Sequence, residues 1–232
     1  MNQNAPTLHP AQNLALFDLD NTLLSGDSDY NWSLFLIQEG LLDEHTHKTR
    51  NEQFYLDYKN GTLDIYAFLA FQLQPLSRHP RALLDELHQK YMDRVIRPMM
   101  TAKAQALVDQ HKAQGDLCLV ITATNSFVTK PIAAAYGIEH LIGTDPEVKD
   151  GEFTGGVAGV PSFQQGKVTR LEQWLSARNQ QLSDFKQSYF YSDSHNDLPL
   201  MKLVTHPVAV DADPTLAAYA AEQGWPHISL RN

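Results

Sequence analysis

Several short polar stretches interrupt apolar runs in this chain, and their residue types suit one kind of chemistry. Asp18-Leu19-Asp20-Asn21-Thr22 follows the run Leu14–Phe17, and Thr122, Thr124 and Asn125 follow the run Leu117–Ile121. Lys167 stands just after Gly166, where a helical pattern begins, and Asp193, Asn196 and Asp197 follow the run Ser188–Tyr191. If Asp18, Asp20, Asp193 and Asp197 met within a few ångströms they would repel, and their joint ionisation would be tolerable only around a cation. Aspartate oxygens without a His or Cys set point to Mg²⁺ rather than zinc. Phosphate oxygens complete such an ion, a lysine adds a compact positive charge for the same phosphate, and Thr122 with the N–H groups opening the next helix offers neutral donors. These are the parts of phosphoryl transfer to an aspartate. One carboxylate attacks phosphorus; a second, two residues on, protonates the leaving alkoxide and later deprotonates water.

For these stretches to meet, each apolar run must be a strand of one sheet with its carboxyl end at a common edge. The pattern supports that. After Leu14–Phe17, residues 27–97 read as helical throughout. A first helix from Ser28 carries Trp32, Phe35 and Leu36 and stops at Gly40, and a second from Asp43 to Lys59 carries Phe54, Tyr55 and Tyr58. A third, capped by Thr62, carries Tyr66, Leu69 and Leu73 and ends before Pro75, and a fourth from Pro80 repeats Leu83, Leu84, Leu87, Tyr91 and Val95. The alternation then resumes: helix 102–113, strand Leu117–Ile121, helix 126–136 and strand His140–Ile142. An Asp150-Gly151 hairpin, helix 166–178, strand Ser188–Tyr191, helix 197–204, strand Pro207–Val210, helix 214–223 and strand 227–230 complete it. Strands alternating with helices predict an α/β fold, a Rossmann-like doubly wound parallel sheet, whose ligands sit at the carboxyl ends of the strands.

Composition narrows the setting. In 232 residues, Lys+Arg number 18 against Asp+Glu 27, a net charge of −9 that argues against a nucleic-acid surface while leaving a small phosphorylated substrate open. Cys118 is the only cysteine, which rules out disulfides within the chain, and it falls in an apolar run that reads as a buried strand. Met1–Pro10 shows no signal-peptide pattern, and no apolar run is long enough to span a membrane, so the expectation is a cytoplasmic protein with no membrane partner.

Taken singly, each piece has a plain structural meaning: loop carboxylates, a strand-end hydroxyl, a solvated lysine, an Asx turn. Jointly and in this order they resemble the haloacid dehalogenase-like (HAD) hydrolases, and within them the phosphoserine-phosphatase-like and histidinol-phosphatase-like subfamily IB. The resemblance rests on Phe17-Asp18-Leu19-Asp20-Asn21-Thr22, Ile121-Thr122-Ala123-Thr124-Asn125, Lys167 and Asp193-Ser194-His195-Asn196-Asp197, and it covers residues 13–231. It implies a HAD-like core of residues 1–26 and 98–232 with an inserted helical, C1-type cap over 27–97. It implies Asp18 as nucleophile and Asp20 as general acid/base, with Thr122 and Lys167 holding the phosphoryl group and Asn196 near it. Mg²⁺ would be bound by Asp18, the Asp20 carbonyl and Asp193, with Asp197 supporting the metal site, and Thr22 would brace the first loop.

The departures from the pattern concern the substrate. Ser192 and Ser194 replace two glycines of the fourth motif, and Ala123 and Thr124 replace two of the second. Where phosphoserine phosphatases place a glutamate for the substrate's amino group, this chain has Asp27, with Asp29 close behind; the two are able to meet a cationic amine or to cap the first helix. Gly26-Asp27-Ser28-Asp29 and Thr122-Ala123-Thr124-Asn125 resemble a sister branch that includes histidinol-phosphate phosphatases and many members of unknown substrate. The cap's Tyr and Phe residues read as core. Arg50, Arg78, Arg94 and Arg97 read as solvated cations, one of them within possible reach of a substrate, and His195 as a helix-start residue facing solvent. The glycine-rich stretch 148–160 is either a flap beside the site or a surface hairpin. The expected activity is a Mg²⁺-dependent phosphomonoesterase acting on a small phosphorylated metabolite, an amino-alcohol phosphate such as phosphoserine or histidinol phosphate. The same parts also allow a phosphotransferase or mutase, and a receiver-like signalling module. Asp20 and the long helical insertion speak against the module.

Overall fold

Leu14–Phe17 (β1) lies at the centre of the computed structural model, which describes residues 12–231. Met1–Pro10, read above for a targeting signal, fall outside that range. A sheet of seven strands runs in the order β4-β3-β2-β1-β5-β6-β7, formed by β2 (Leu117–Asn125), β3 (His140–Lys149), β4 (Glu152–Ala158), β5 (Ser188–Ser192), β6 (His206–Val210) and β7 (His227–Ile228) around β1. All neighbours pair in parallel except β3 and β4, which form an antiparallel hairpin turning at Asp150-Gly151.

Period-two alternation assigns the two faces. Leu14, Leu16, Leu119, Ile121 and Phe190 pack on one side, against Val168, Leu171, Leu175, Leu200 and Leu216. Ala15, Phe17, Cys118, Val120 and Tyr191 pack on the other, against Ala104, Val108, Val128 and Ile132. The helices behind these contacts are α5 (Ala102–Ala113), α6 (Ser126–Ala135), α7 (Gln165–Ser176), the single turn α8 (Leu198–Met201) and α9 (Pro214–Gln223). They follow α1 (Ser28–Gln38), α2 (Glu44–Lys59), α3 (Ile65–Ser77) and α4 (Arg81–Tyr91), after which the chain stays helical to Met99. The side chains of Asp27, Asp43 and Asp64 cap α1, α2 and α3, a device worth about 1 kcal/mol each.

Several local expectations need correction. Asp64, not Thr62, caps α3, and the Thr62 hydroxyl instead donates to the Asp57 carbonyl that ends α2. Pro75 sits inside the last turn of α3 rather than after it, because its ring is buried against the insertion's core. Tyr66 is 65% exposed and contributes nothing to that core. β2 runs four residues past Ile121 and β3 seven past Ile142, since the β3–β4 hairpin continues the sheet outward. The last strand stops at Ile228, and the helix expected over 197–204 is regular only across Leu198–Met201. The hairpin is a surface hairpin rather than a flap, exposed over residues 147–152 and anchored on its inner side. Glu152 accepts from the Arg81 N–H at 2.7 Å, and Phe153 lies 4.6 Å under the Arg81 guanidinium, so β4 supports the start of α4. Among the described residues, no helix is long and apolar enough to cross a membrane.

Candidate active site

Register alone brings the polar stretches together. Phe17 pairs with Val120 on one side and Tyr191 on the other, so Asp18 stands one residue beyond the level at which β2 leads into Thr122 and β5 into Asp193. The turn after β1 reverses the chain at once. Asn21 takes φ +55, a left-handed conformation that asparagine tolerates, and its N–H donates to Gly26 O at 3.0 Å. Arg231, which the sequence reading passed over, donates its guanidinium to the carbonyls of Asn21 and Thr22 and fixes this turn from outside.

Lys167 is 3% exposed, and its ammonium donates to Asp18 at 2.9 Å and to Asp197 at 2.7 Å. Its position depends on Gly166: a Cβ there would collide with the Pro161 carbonyl, so only glycine lets this loop lie against the start of α7. Burial by itself would lower the Lys167 pKa, but Asp18 and Asp197 together outweigh it and hold it above the ordinary lysine value. Asp197 also accepts from Ser192 Oγ at 2.7 Å. It therefore braces the lysine beside the carboxylates of Asp18 and Asp193.

Thr22 joins the first and fourth motifs. Its hydroxyl lies 3.2 Å from Asp18 Oδ2 and 3.1 Å from Asp193 Oδ1, and it accepts from the Asp193 N–H at 3.0 Å. Burial raises the pKa of Asp18 and raises that of Asp193 well above the carboxylate range. For Asp193 the charges of Asp18 and Asp197 add to the effect of burial, and Asp18, Asp193 and Asp197 together face one lysine. That leaves two negative charges, which a divalent cation would cancel. Among the described residues no three His, Cys, Asp or Glu side chains form a ready metal cage. The donors present are the Asp18 and Asp193 carboxylates and the Asp20 carbonyl, an all-oxygen set that suits Mg²⁺, an ion that keeps several waters and substrate oxygens.

Asp20 points elsewhere. Its Oδ1 accepts from the Ser28 N–H at 2.6 Å, and its Oδ2 accepts from Thr124 Oγ1 at 2.7 Å, with Thr122 Oγ1 at 3.5 Å. Burial first, and the charge of Asp27 second, raise its pKa to about 6 despite these donors. Thr124 and the Ser28 N–H are its principal partners. Sequence reasoning placed Thr124 at the end of the second strand and as a departure from a glycine pattern, but gave it no role toward Asp20.

Asp27 caps the first helix, one of the two alternatives expected of it. Its Oδ1 accepts from Asp29 N at 2.9 Å and Tyr30 N at 2.8 Å, which caps α1, while the residue also lines the cleft. Asn196, expected near the phosphoryl group, is not among the residues that line the cleft. Its amide donates to the Tyr58 carbonyl at 3.0 Å and accepts from Gln164 at 2.8 Å, tying the end of α2 to the sheet edge. His195 does not face solvent: its Nδ1 lies 2.8 Å from Asp213, and a Cβ on Gly61 would come within 3.1 Å of its Nε2.

The cleft above these groups is walled by the helical insertion. Phe54, Tyr55, Tyr58 and Phe68 line it, so the aromatic marks of α2 and α3 face the cavity more than the core. Asp18, Asp20, Asp27, Asp29 and Asp197 line it too, with Lys167 as the only cationic side chain among them. None of Arg50, Arg78, Arg94 and Arg97 reaches it. Arg94 and Arg97 pair with Glu39 and Asp93, and Arg50 lies over the Phe54 ring.

A buried aspartate–lysine pair at the carboxyl edge of a parallel sheet, with a second aspartate two residues on and a helical insertion above, defines a class. The chain belongs to the haloacid dehalogenase-like hydrolases, whose sequence model matches residues 15–202. It is 47% identical over 221 residues to a histidinol-phosphatase of Neisseria meningitidis, covering 95% of this chain and 100% of that protein. It is 29% identical over 219 residues to a phosphoserine phosphatase of Mycobacterium tuberculosis, covering 91% of this chain and 68% of that one. A crystal structure of a Bordetella pertussis protein of unknown function superposes with a TM-score of 0.91 at 47% identity, covering 95% of this chain and 100% of that one. A substrate-bound phosphoserine phosphatase shares the fold with a TM-score of 0.66 at 19% identity, covering 96% and 95% of the two chains.

Proposed function

We propose that this protein is a Mg²⁺-dependent phosphomonoesterase that hydrolyses a small amino-alcohol phosphate through an aspartyl-phosphate on Asp18. In this reading residues 1–26 and 98–232 form the catalytic unit and 27–97 the cap. The observation that carries it is the Lys167 ammonium, buried between Asp18 and Asp197 at the sheet edge, with Asp20 turned away from that pair toward the cap. Asp18 attacks phosphorus as the bond to the alkyl oxygen breaks, and Asp20 gives its proton to that oxygen. Asp20, now a carboxylate, takes a proton from water; the resulting hydroxide attacks phosphorus, and the bond to Asp18 breaks. A pKa of about 6 suits a group that must both give and take a proton near neutrality. Lys167 and Thr122 hold the phosphoryl oxygens, and closure of the cap excludes water other than the attacking one. Mg²⁺, held by Asp18, Asp193 and the Asp20 carbonyl, would neutralise charge on the transferring phosphoryl group. The buried, free Cys118 suits a reducing, cytoplasmic setting.

The cleft favours histidinol phosphate over phosphoserine. A substrate carboxylate would meet five aspartates and no arginine, whereas an ammonium group meets Asp27. The 47% identity to a histidinol-phosphatase over that protein's full length supports the same choice. The test is phosphate release from histidinol phosphate and phosphoserine with Mg²⁺ or EDTA, in wild type and Asp18→Asn. Release from histidinol phosphate that requires Mg²⁺ and Asp18 supports the reading; undiminished release in the variant overturns it.

A further inference from the structure

One buried carboxylate of the cleft has no part in the chemistry above. Asp29 is 6% exposed and lines the cavity from the second residue of α1. It is not needed to cap that helix, because Asp27 does so. Among the described residues no lysine, arginine or histidine lies within ion-pair reach of it. Its two oxygens accept from neutral amides only, Oδ1 from Asn125 Nδ2 at 3.2 Å and Oδ2 from Gln72 Nε2 at 3.0 Å, so each keeps accepting capacity. A buried carboxylate without a counter-charge is costly, and a fold with no use for one would place an asparagine there.

The neighbours orient a second group. Ser33 Oγ donates to Gln72 Oε1 at 2.9 Å, which turns the Gln72 amide nitrogen toward Asp29 and toward Asn51 Oδ1 at 3.4 Å. With its Oδ1 facing that donor, Asn51 has its Nδ2 left over. The Asn51 side chain is 4% exposed, lines the cavity, and its Nδ2 finds no acceptor among the described residues. An acceptor carboxylate and an unused amide donor, joined through Gln72, therefore line the cavity that Phe54 and Phe68 also line.

We propose that Asp29 and Asn51 form a specificity subsite for a nitrogen-bearing ring on the substrate, so that the cleft reads two nitrogen groups: an amine at Asp27 and a ring nitrogen pair at Asp29 and Asn51. The substrate class is then the phosphate ester of an amino alcohol with an imidazole-like side group, one ring nitrogen donating to Asp29 and the other accepting from Asn51. This rests on the phosphomonoesterase reading given above and deepens it. A site built to hydrogen-bond a substrate N–H rejects an analogue lacking it much more strongly than an apolar wall rejects a small change of shape.

The experiment compares histidinol phosphate with phenylalaninol phosphate, which keeps the amine and a flat ring but has no ring nitrogens. kcat, KM and Tm are measured with Mg²⁺ for wild type, Asp29→Asn and Asn51→Ala. Wild type is expected to prefer histidinol phosphate by about 100-fold or more in kcat/KM. In both variants KM for histidinol phosphate should rise about tenfold or more, as for a lost hydrogen bond to a charged or buried group. kcat for histidinol phosphate and kcat/KM for phenylalaninol phosphate should stay near wild type. Asp29→Asn should not lower Tm, because it puts a neutral amide of the same shape where burial and the charges of Asp27 and Asp20 disfavour a carboxylate. Parallel losses on both substrates would make Asp29 a scaffold residue and overturn the proposal, as would wild-type discrimination retained in both variants. Turnover by wild type without discrimination overturns this inference alone. No phosphate release from either ester overturns the phosphatase reading together with it.

Discussion

Replacing Lys167 with methionine leaves a side chain of similar length but strips the counter-charge from Asp18 and Asp197. Both carboxylates are buried, and the lysine donates to them at 2.9 and 2.7 Å. Breaking a buried pair by removing one partner costs about 3–5 kcal/mol, because the orphaned charge stays in the interior. At about 2–4 °C per kcal/mol for a chain of this size, Tm should fall by about 6–20 °C. The orphaned carboxylates can also escape the penalty by taking up protons. Asp197 already titrates near 6 with the lysine present, burial being the main cause, so protonation is cheap at pH 5 and costly at pH 8. The deficit of Lys167→Met should therefore be largest at pH 8 and shrink toward pH 5. Asp197→Asn in the same background should recover part of it, since the two side chains act as one unit. Urea denaturation in EDTA at both pH values measures this directly. A deficit below about 1 kcal/mol at pH 8, the range of an exposed ion pair, or one of equal size at both pH values, would refute the electrostatic reasoning.

Removal of metal should expose the same charge surplus. Asp20 and Asp197 have folded pKa values of about 6 against 3.8 for the free side chain, so the stability each contributes is complete below 3.8 and is lost as pH rises through 6. That is up to about 3 kcal/mol per group; in EDTA, Tm should fall between pH 4 and 7, and Mg²⁺ should restore more of it at pH 7 than at pH 5. Asp20→Asn should lower kcat on alkyl phosphates by about 100- to 10,000-fold, as expected for a lost general acid. A p-nitrophenyl ester, whose leaving group needs no proton, should lose less in the pre-steady-state burst. Gly166→Ala should cost about 1–3 kcal/mol from overpacking against Pro161, with a raised KM as Lys167 is displaced, both readable from urea melts and phosphate-release kinetics.

The catalytic edge was legible because a parallel sheet converts sequence order into position. Apolar runs mark the strands, the polar residues that end them must lie at one edge, and so Asp18, Thr122 and Asp193 could be brought together before any coordinates. Lys167 was legible for a related reason, as a first-turn residue of the helix that faces the same edge. The substrate wall was not. Phe54, Tyr58 and Phe68 have the same helical spacing whether they face a core or a cavity, and only the packing of α2 and α3 over the sheet edge decides between them. Gln72 and Asn51 carry no pattern at all; their meaning comes from the Gln72 amide, which donates to Asp29 and to Asn51 across three helices. The loop that carries Asn196 was legible, but the approach of α2 to it was not, and the Asn196 amide donates a hydrogen bond to the Tyr58 carbonyl. Arg231 was invisible for a simpler reason, since a contact across 210 residues leaves no local trace.

Covalent capture of the intermediate tests the central claim most directly. The enzyme is mixed with ³²P-labelled histidinol phosphate and Mg²⁺, quenched in acid within one turnover, and digested for peptide mapping. The label should be acid-stable, alkali-labile and confined to the peptide containing Asp18, and it should be absent from Asp18→Asn. Rapid phosphate release with no protein-bound label at any quench time, or label on a residue other than Asp18, would contradict it.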